Sequence, residues 1–236
     1  MVKSYDALGN ALKDYFFKND FEDITVISDI SEDDIIPVDY LFRNYLEMPL
    51  IERKALNLCK GKVLDVGAAS GCHSLILEEK NLAVKSIDIS EGAIEVMKAR
   101  GLKNAELQDF YQLTDEQFDT ILLLMNGIGI AQNMENLPAF LQQCKKLLAQ
   151  GGQILLDSSD IKYMFEEEDG SMWVDMNKAY YGEVNYQMQY KNCLTEPFDW
   201  LFVDFKTLQE AAKKEGFKTE LIAKGEHFDY LARLTL

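Results

Sequence analysis

The sequence predicts an α/β protein built on a mostly parallel sheet, and three observations carry that expectation. An apolar run of strand length stands at Val63, Leu64 and Val66, and further segments that read as strands follow at Val84–Ile89, Ala105–Phe110, Phe118–Met125 and Ile154–Asp157. Segments with helical spacing of apolar residues lie between them, at 75–80, 91–100 and 134–148. Strands that alternate with helices in this way must run parallel, joined by right-handed crossovers.

Taken in order, residues 4–18 place Tyr5, Leu8, Leu12, Tyr15 and Phe16 on one helical stripe. From Asn19 to Leu41 there is no Lys or Arg, and Glu32-Asp33-Asp34 adds charge, which reads as a solvated, partly irregular connection. Pro49 suits the start of a helix running to about Cys59. The first strand then enters a turn of small residues, Gly67-Ala68-Ala69-Ser70-Gly71, and Leu75-Ile76-Leu77 opens the next helix. Ser90 is an N-cap for the helix at 91–100 and Gly101 its C-terminal stop. After Asp157 the alternation ceases. Val184, Tyr186, Met188 and Tyr190 repeat at period 2, and with Phe198, Trp200 and Phe202 they predict an antiparallel insertion. A helix over 204–215 ends at Gly216, and strands near 217–223 and 228–236 complete the sheet. The expected organisation is a single domain, 1–236: a helical and acidic extension (1–48), a ligand-binding core (49–157), the insertion (158–203) and a closing helix with a strand pair (204–236).

Bulk properties narrow the function. The chain has 236 residues, enough for one substantial α/β core with an elaboration. Its formal net charge is −16, from 24 basic against 40 acidic residues, and the small basic clusters Lys145-Lys146 and Lys213-Lys214 sit on solvated helix faces. Such a chain repels nucleic acid, whose binders present basic surfaces. No apolar run approaches the roughly 20 residues of a membrane-spanning helix, and the opening Met-Val-Lys-Ser-Tyr-Asp lacks the profile of a signal peptide. Cys59, Cys72, Cys144 and Cys193 have no metal-binding spacing and read as reduced thiols, so no metal and a cytoplasmic location are expected.

The turn after the first strand selects the ligand. A phosphate-cradling loop needs Lys-Ser/Thr after its second glycine, where this chain has Cys72-His73. A dinucleotide fingerprint started at Gly67 lands on Ala69 and Cys72 instead of glycines. An NAD-dependent oxidoreductase is therefore disfavoured. What fits is acidic-x-Gly-x-small-x-Gly: Asp65, Gly67, Ala69 and Gly71.

This pattern resembles motif I of the class I S-adenosylmethionine (SAM)-dependent methyltransferases, and the elements after it resemble the rest of that family's core. Val84-Lys85-Ser86-Ile87-Asp88-Ile89 ends in an acid at the position that holds the ribose hydroxyls, and Asp109 with Phe110 stands where the family contacts adenine. Met125-Asn126 follows the fourth strand, and Gln150-Gly151-Gly152-Gln153 precedes the fifth. The resemblance covers about 50–157 and 204–236, leaving the first 45 residues and the insertion peripheral. It implies a Rossmann-like, doubly wound, mostly parallel seven-stranded sheet with a C-terminal antiparallel strand. It also implies SAM as cofactor, held by Asp65, Gly67, Ala68, Ala69, Ser70, Gly71, His73, Asp88, Ile89, Asp109, Phe110, Met125 and Asn126. Ala69 departs from the glycine many relatives carry, and a positive φ there would be strained. In place of the Asp/Asn-Pro-Pro-aromatic signature of nucleic acid adenine methylases the chain reads Asn126-Gly127-Ile128-Gly129, in agreement with the charge argument.

Because the methyl group of SAM is already electrophilic, positioning can supply much of the acceleration, and a base is needed only where the acceptor must lose a proton. The catalytic residue therefore stays unassigned, with Asn126, His73 and Tyr181 as candidates; His73 equally suits a structural bond at a helix start. Arg43, a lone cation among aromatics, is a candidate clamp for a carboxylate or a surface cation–π partner. Tyr180 and Tyr186 are candidates to line an acceptor pocket, or a core or homodimer contact. The expected partner is a small-molecule acceptor methylated on O, N or S, with no nucleic acid and no membrane. A non-catalytic SAM-binding or partner-binding module and a protein methyltransferase are the competing readings.

Overall fold

Alternation of side chains between two faces determines the central sheet of the computed structural model, which describes residues 6–166 and 180–236. Tyr5 of the N-terminal stripe and residues 167–179 of the insertion lie outside the described residues. Helix α1 (Ala7–Lys13) continues into a wider turn over Asp14–Lys18 and is followed by strands β1 (Ile24–Ser28) and β2 (Asp34–Ile36). Helix α2 (Leu50–Leu58) then leads to β3 (Lys62–Val66), α3 (Cys72–Glu79), β4 (Ala83–Asp88), α4 (Glu91–Ala99), β5 (Ala105–Leu107), β6 (Phe118–Leu123), α5 (Leu137–Leu147) and β7 (Leu148–Ser159). Strands β8 (Glu183–Tyr190), β9 (Cys193–Leu194) and β10 (Phe198–Leu201), helix α6 (Phe205–Lys214), and strands β11 (Lys218–Lys224) and β12 (Asp229–Thr235) complete the chain.

The main sheet has seven strands in the order β11-β12-β7-β6-β3-β4-β5. The pairings β3–β4, β3–β6, β4–β5 and β6–β7 are parallel, whereas β12 lies antiparallel to both β7 and β11. Successive residues of one strand serve opposite faces, as period 2 requires. Leu64, Ile121, Leu123, Ile154 and Leu156 enter a core with Phe140 and Leu141 of α5 and Leu208 of α6. Val63, Leu122 and Leu155 point the other way, onto Ile51, Ala55 and Leu56 of α2 and Leu77 of α3. Helices on both faces make the sheet doubly wound, and its loop-bearing carboxyl edge is where open α/β sheets bind ligands.

Ser90 caps α4 through its hydroxyl, which accepts the Ala93 N–H at 3.0 Å, and Gly101 follows that helix with φ +96°. The stretch from Asn19 to Leu41 is a correction. It carries β1 and β2, and β1 pairs antiparallel with β8 of the insertion (Thr25 opposite Gln189, Val26 opposite Met188). Together with β9 and β10 these strands form a second, antiparallel sheet. The acidic composition hides a short alternation in which Ile24 and Val26 are buried, and Ile24 joins Ala7, Leu12 and Ala93 in a third core cluster. The N-terminal segment and the insertion are thus partners in one layer rather than separate peripheral pieces. Helix α1 lies directly against α4: a Cβ added at Gly92 would stand 2.6 Å from the Gly9 backbone.

Candidate active site

The turn between β3 and α3 is stiffened from several sides. The amides of Gly67 and Ala68 donate to the Ile87 carbonyl (2.9 and 3.1 Å), and the Gly71 amide donates to the Ala68 carbonyl (2.7 Å). Gly71 has φ +79°, and a Cβ there would collide with Leu102, so glycine is required twice over. Ala69 sits at φ +49°, in the left-handed region expected of this position. Ser70 is fully buried; its hydroxyl donates to the Leu41 carbonyl, and Arg100 Nη1 donates to both Ser70 oxygens at 2.8 Å.

Two of the turn's residues are left open toward the carboxyl edge. Gly67 is exposed, with Ile130 Cδ1, at 3.9 Å, the nearest atom to a Cβ built on it, and Ala69 is half-buried. The Ala69 N–H donates to Asp88 Oδ2 at 2.9 Å, and the Ser90 N–H donates to Asp88 Oδ1 at 2.9 Å. Burial pushes the Asp88 carboxyl upward, and these two amides only partly offset it. A carboxylate has about four lone-pair positions, so two amide donors leave room for hydroxyls. Ile89, next in sequence, is strongly exposed for an isoleucine, and Met125 at the end of β6 is also exposed. Asp109 is exposed and caps the short turn Phe110–Gln112 by accepting the Tyr111 N–H at 2.8 Å.

Several expected contacts are redirected. The Asp65 carboxylate is buried beneath the turn, where it accepts the Ser74 hydroxyl at 2.6 Å; burial raises its pKa against the lowering influence of His73 and Ser74. Ser70 and Ala68 are buried, so the turn can offer a ligand only their main chain. Phe110 packs in the main core, 5.7 Å from Phe140 between ring centroids. Its side chain is spent on packing, which leaves only its main chain for a ligand.

A charged cluster lies under the same edge. Glu52 Oε2 receives Arg43 Nη2 at 2.5 Å and His73 Nε2 at 2.7 Å, and all three side chains are buried. Burial raises the Glu52 pKa, but the His73 and Arg43 contacts outweigh it and hold the group below its ordinary value. With Nε2–H donating to an anion, the lone pair of a neutral His73 is on Nδ1. Arg43 also donates through Nη1 to the Tyr40 carbonyl (2.6 Å) and stacks 4.1 Å above the Tyr40 ring. The cation–π contact is present, then, between a buried Arg43 and an exposed Tyr40 ring, and the carboxylate that Arg43 holds is Glu52's own. Its Nε is buried with no hydrogen-bond partner. Glu52 escaped the sequence reading; its signal is a charge on the same face of α2 as Ala55 and Leu56.

After β6, Asn126 follows Met125 with φ +57° after +60°, two consecutive left-handed residues. Its Nδ2 donates to the Leu201 carbonyl (3.1 Å), and its Oδ1 accepts Ser158 Oγ (2.8 Å). The Tyr180 hydroxyl donates to Asp204 Oδ2 and that of Tyr181 to Asp160 Oδ1, each at 2.7 Å, with the two rings 4.3 Å apart. Burial and these acids raise both phenol pKa values. Tyr186 stands apart from that pair, in the second sheet opposite Phe198, with its pKa pushed by burial to about 12. Among the described residues no group of three or more His, Cys, Asp or Glu is placed to hold a metal ion, and no described helix is long and apolar enough to cross a membrane.

Strand order, a reversed strand between β7 and β11, and a strand-end acid bonded to a glycine turn together define the class I SAM-dependent methyltransferase scaffold. The chain belongs to that family: a family model described as a methyltransferase domain matches residues 59–221. It is similar over its whole length to a SAM-dependent methyltransferase from Bacteroides fragilis, crystallised with S-adenosylhomocysteine (46% identity, TM-score 0.93, 100% of this chain and 97% of that one). Curated relatives include a cypemycin N-terminal methyltransferase from Streptomyces sp (31% identity over 102 residues, 42% of each chain). A ubiquinone biosynthesis O-methyltransferase from Pseudomonas aeruginosa is 27% identical over 126 residues, 49% of this chain and 51% of that one. The chain thus spans about half the length of the curated relatives it matches.

Proposed function

We propose that this protein transfers a methyl group from SAM to an O, N or S atom of a small molecule. The observation that carries the reading is the 2.9 Å bond between the Ala69 amide and Asp88, which fixes an open small-residue turn and a strand-end acid as one unit. The residues present fit the nucleoside. Gly67 leaves room for main-chain contact, Asp88 retains acceptor capacity for ribose hydroxyls, and Ile89 offers an exposed apolar side chain beside them. Amides of the first turn of α3 have no intrahelical partner and add donors.

When bound, SAM supplies an electrophilic methyl carbon. The chain's own task is to hold the acceptor close and collinear with it, which geometry alone can reward heavily. In this reading Asp109 meets the base, and Asn126 orients the ligand from the opposite side. Tyr180 and Tyr181 border the acceptor space, and His73 Nδ1 is the nearest base candidate on the turn. The −16 net charge supports a small acceptor over nucleic acid, and four free cysteines accord with a cytoplasmic location.

The test is S-adenosylhomocysteine release from SAM over a panel of small amines, phenols, alcohols and thiols. Turnover above the acceptor-free rate with at least one class is expected. Binding of SAM with no turnover on any class would instead favour a non-catalytic binding module.

A further inference from the structure

The turn after β6 is held in a conformation its residues do not favour. Met125 (φ +60°) and Asn126 (φ +57°) are both left-handed, and neither is glycine. Such conformations persist only where the surroundings over-determine them. What determines this one is Asp157, buried near the end of β7: Met125 N–H donates to its Oδ2 at 3.2 Å and Asn126 N–H to its Oδ1 at 2.8 Å. The next residue extends the hold, since Ser158 Oγ donates to Asn126 Oδ1 at 2.8 Å and accepts the Val203 N–H at 3.0 Å. No Lys or Arg among the described residues forms an ion pair with Asp157, so the carboxylate is spent on main chain.

We propose that Asp157 is a positioning residue whose carboxylate holds the Met125–Asn126 turn in the left-handed form that presents Asn126 and the turn's carbonyls to the cofactor and acceptor. This role rests on the reading of that edge as the ligand site. A neutral side chain cannot replace the carboxylate. Asparagine would turn its NH2 toward one of the two N–H donors, and a protonated carboxyl would do the same with its O–H, so either loses an acceptor.

The surroundings make the second case relevant near neutrality. Burial is the main cause that pushes the Asp157 carboxyl to about 7, with the negative charge of Glu52 on α2 adding to it. The amides of the turn and the charge of His73 on α3 oppose that shift. Tyr40 and Tyr230, on the segment before α2 and on β12, also feel its charge. The hold on the turn should therefore strengthen as pH rises through neutrality.

The test compares wild type with Asp157→Asn by amide hydrogen exchange and by S-adenosylhomocysteine titration, each between about pH 6 and about pH 8. In the variant the Met125 and Asn126 amides should exchange about tenfold faster or more, after correction for intrinsic rates, while amides of β6 stay protected. Its affinity should fall about tenfold at the upper pH, and the affinity gain that wild type shows with rising pH should disappear. Unchanged exchange at the two amides, or a variant that keeps the wild-type pH profile, would overturn the proposal. If wild type itself does not bind the nucleoside, the ligand-site reading fails, and exchange alone still judges the hold on the turn. Should the variant not fold, wild type decides: protection of the two amides relative to Ile121 and Leu122 must rise with pH, and a flat ratio overturns the proposal.

Discussion

Asp88 and Ala69 are joined across the mouth of the glycine turn, the Ala69 amide donating to Asp88 Oδ2 at 2.9 Å. The other oxygen of Asp88 takes the Ser90 amide, and the Ser90 hydroxyl donates at 2.9 Å to Asp6, the N-cap of α1. A chain of short bonds thus runs from the N-terminal helix to the turn. The geometry of Asp88 depends on an element outside the core that the resemblance covers.

Ala69 has a left-handed backbone at φ +49°, where glycine is favoured. Ala69→Gly relieves that strain and gives back part of the gain through greater freedom in the unfolded chain. We expect a net gain of about 0.5 kcal/mol in urea unfolding. A clear loss would show that the methyl group packs productively.

Gly92→Ala tests the crossing of α1 on α4. The new methyl group would stand 2.6 Å from the Gly9 main chain, so the helices must separate. Overpacking of this kind costs about 1–3 kcal/mol, more than alanine's helix preference returns. Thermal denaturation should show the loss, and because Ser90 moves with α4, affinity for S-adenosylhomocysteine should drop with it. An unchanged Tm would contradict the tight crossing.

Glu52→Gln strands two buried donors, Arg43 and His73, without their anion. Removing one partner of a buried pair costs about 3–5 kcal/mol, and chemical denaturation at neutral pH should read a loss of that order. Because its folded pKa lies below its ordinary 4.5, Glu52 contributes stability that is present above 4.5 and lost as pH falls through the folded value. The gap between wild type and variant should therefore narrow on acidification. A gap that widens would mean the carboxyl is not held ionised.

Asp157 has the opposite sign against global unfolding, because the burial cost of its charge outweighs the bonds that ionisation adds at the turn. Its folded pKa of about 7 exceeds the ordinary 3.8, so its contribution is full below 3.8 and declines as pH rises toward about 7. Between those values the stability of wild type relative to Asp157→Asn should fall with pH, then level off. A difference that rises over that window would refute the assigned direction.

The parallel core was legible because each of its signals is local. Strands β3, β4 and β6 are buried on both faces, and Ser90, Gly101 and Pro49 mark helix ends by their own chemistry. Of the second sheet, the antiparallel strands of the insertion were legible from their period-2 pattern; their pairing with the N-terminal segment was not, because that register joins Thr25 to Gln189 across most of the chain, and no local pattern encodes it. The candidate site divides along the same line. Residue types at Gly67 and Gly71 follow from the turn itself, whereas Asp88, at the end of β4, was read from the family resemblance. The partners of Arg43 and His73 follow from how α2 packs, which only the fold reveals. That the Phe110 ring packs into the core was not legible, because an aromatic after a strand-end acid looks the same in sequence whether it faces outward or the core.

Calorimetric titration of S-adenosylhomocysteine into wild type and Asp88→Ala addresses the central assignment most directly. The account predicts saturable binding by wild type and an affinity weaker by about 1–3 kcal/mol in a variant that still melts cooperatively. Equal affinity in the two proteins would place the ribose elsewhere and contradict it.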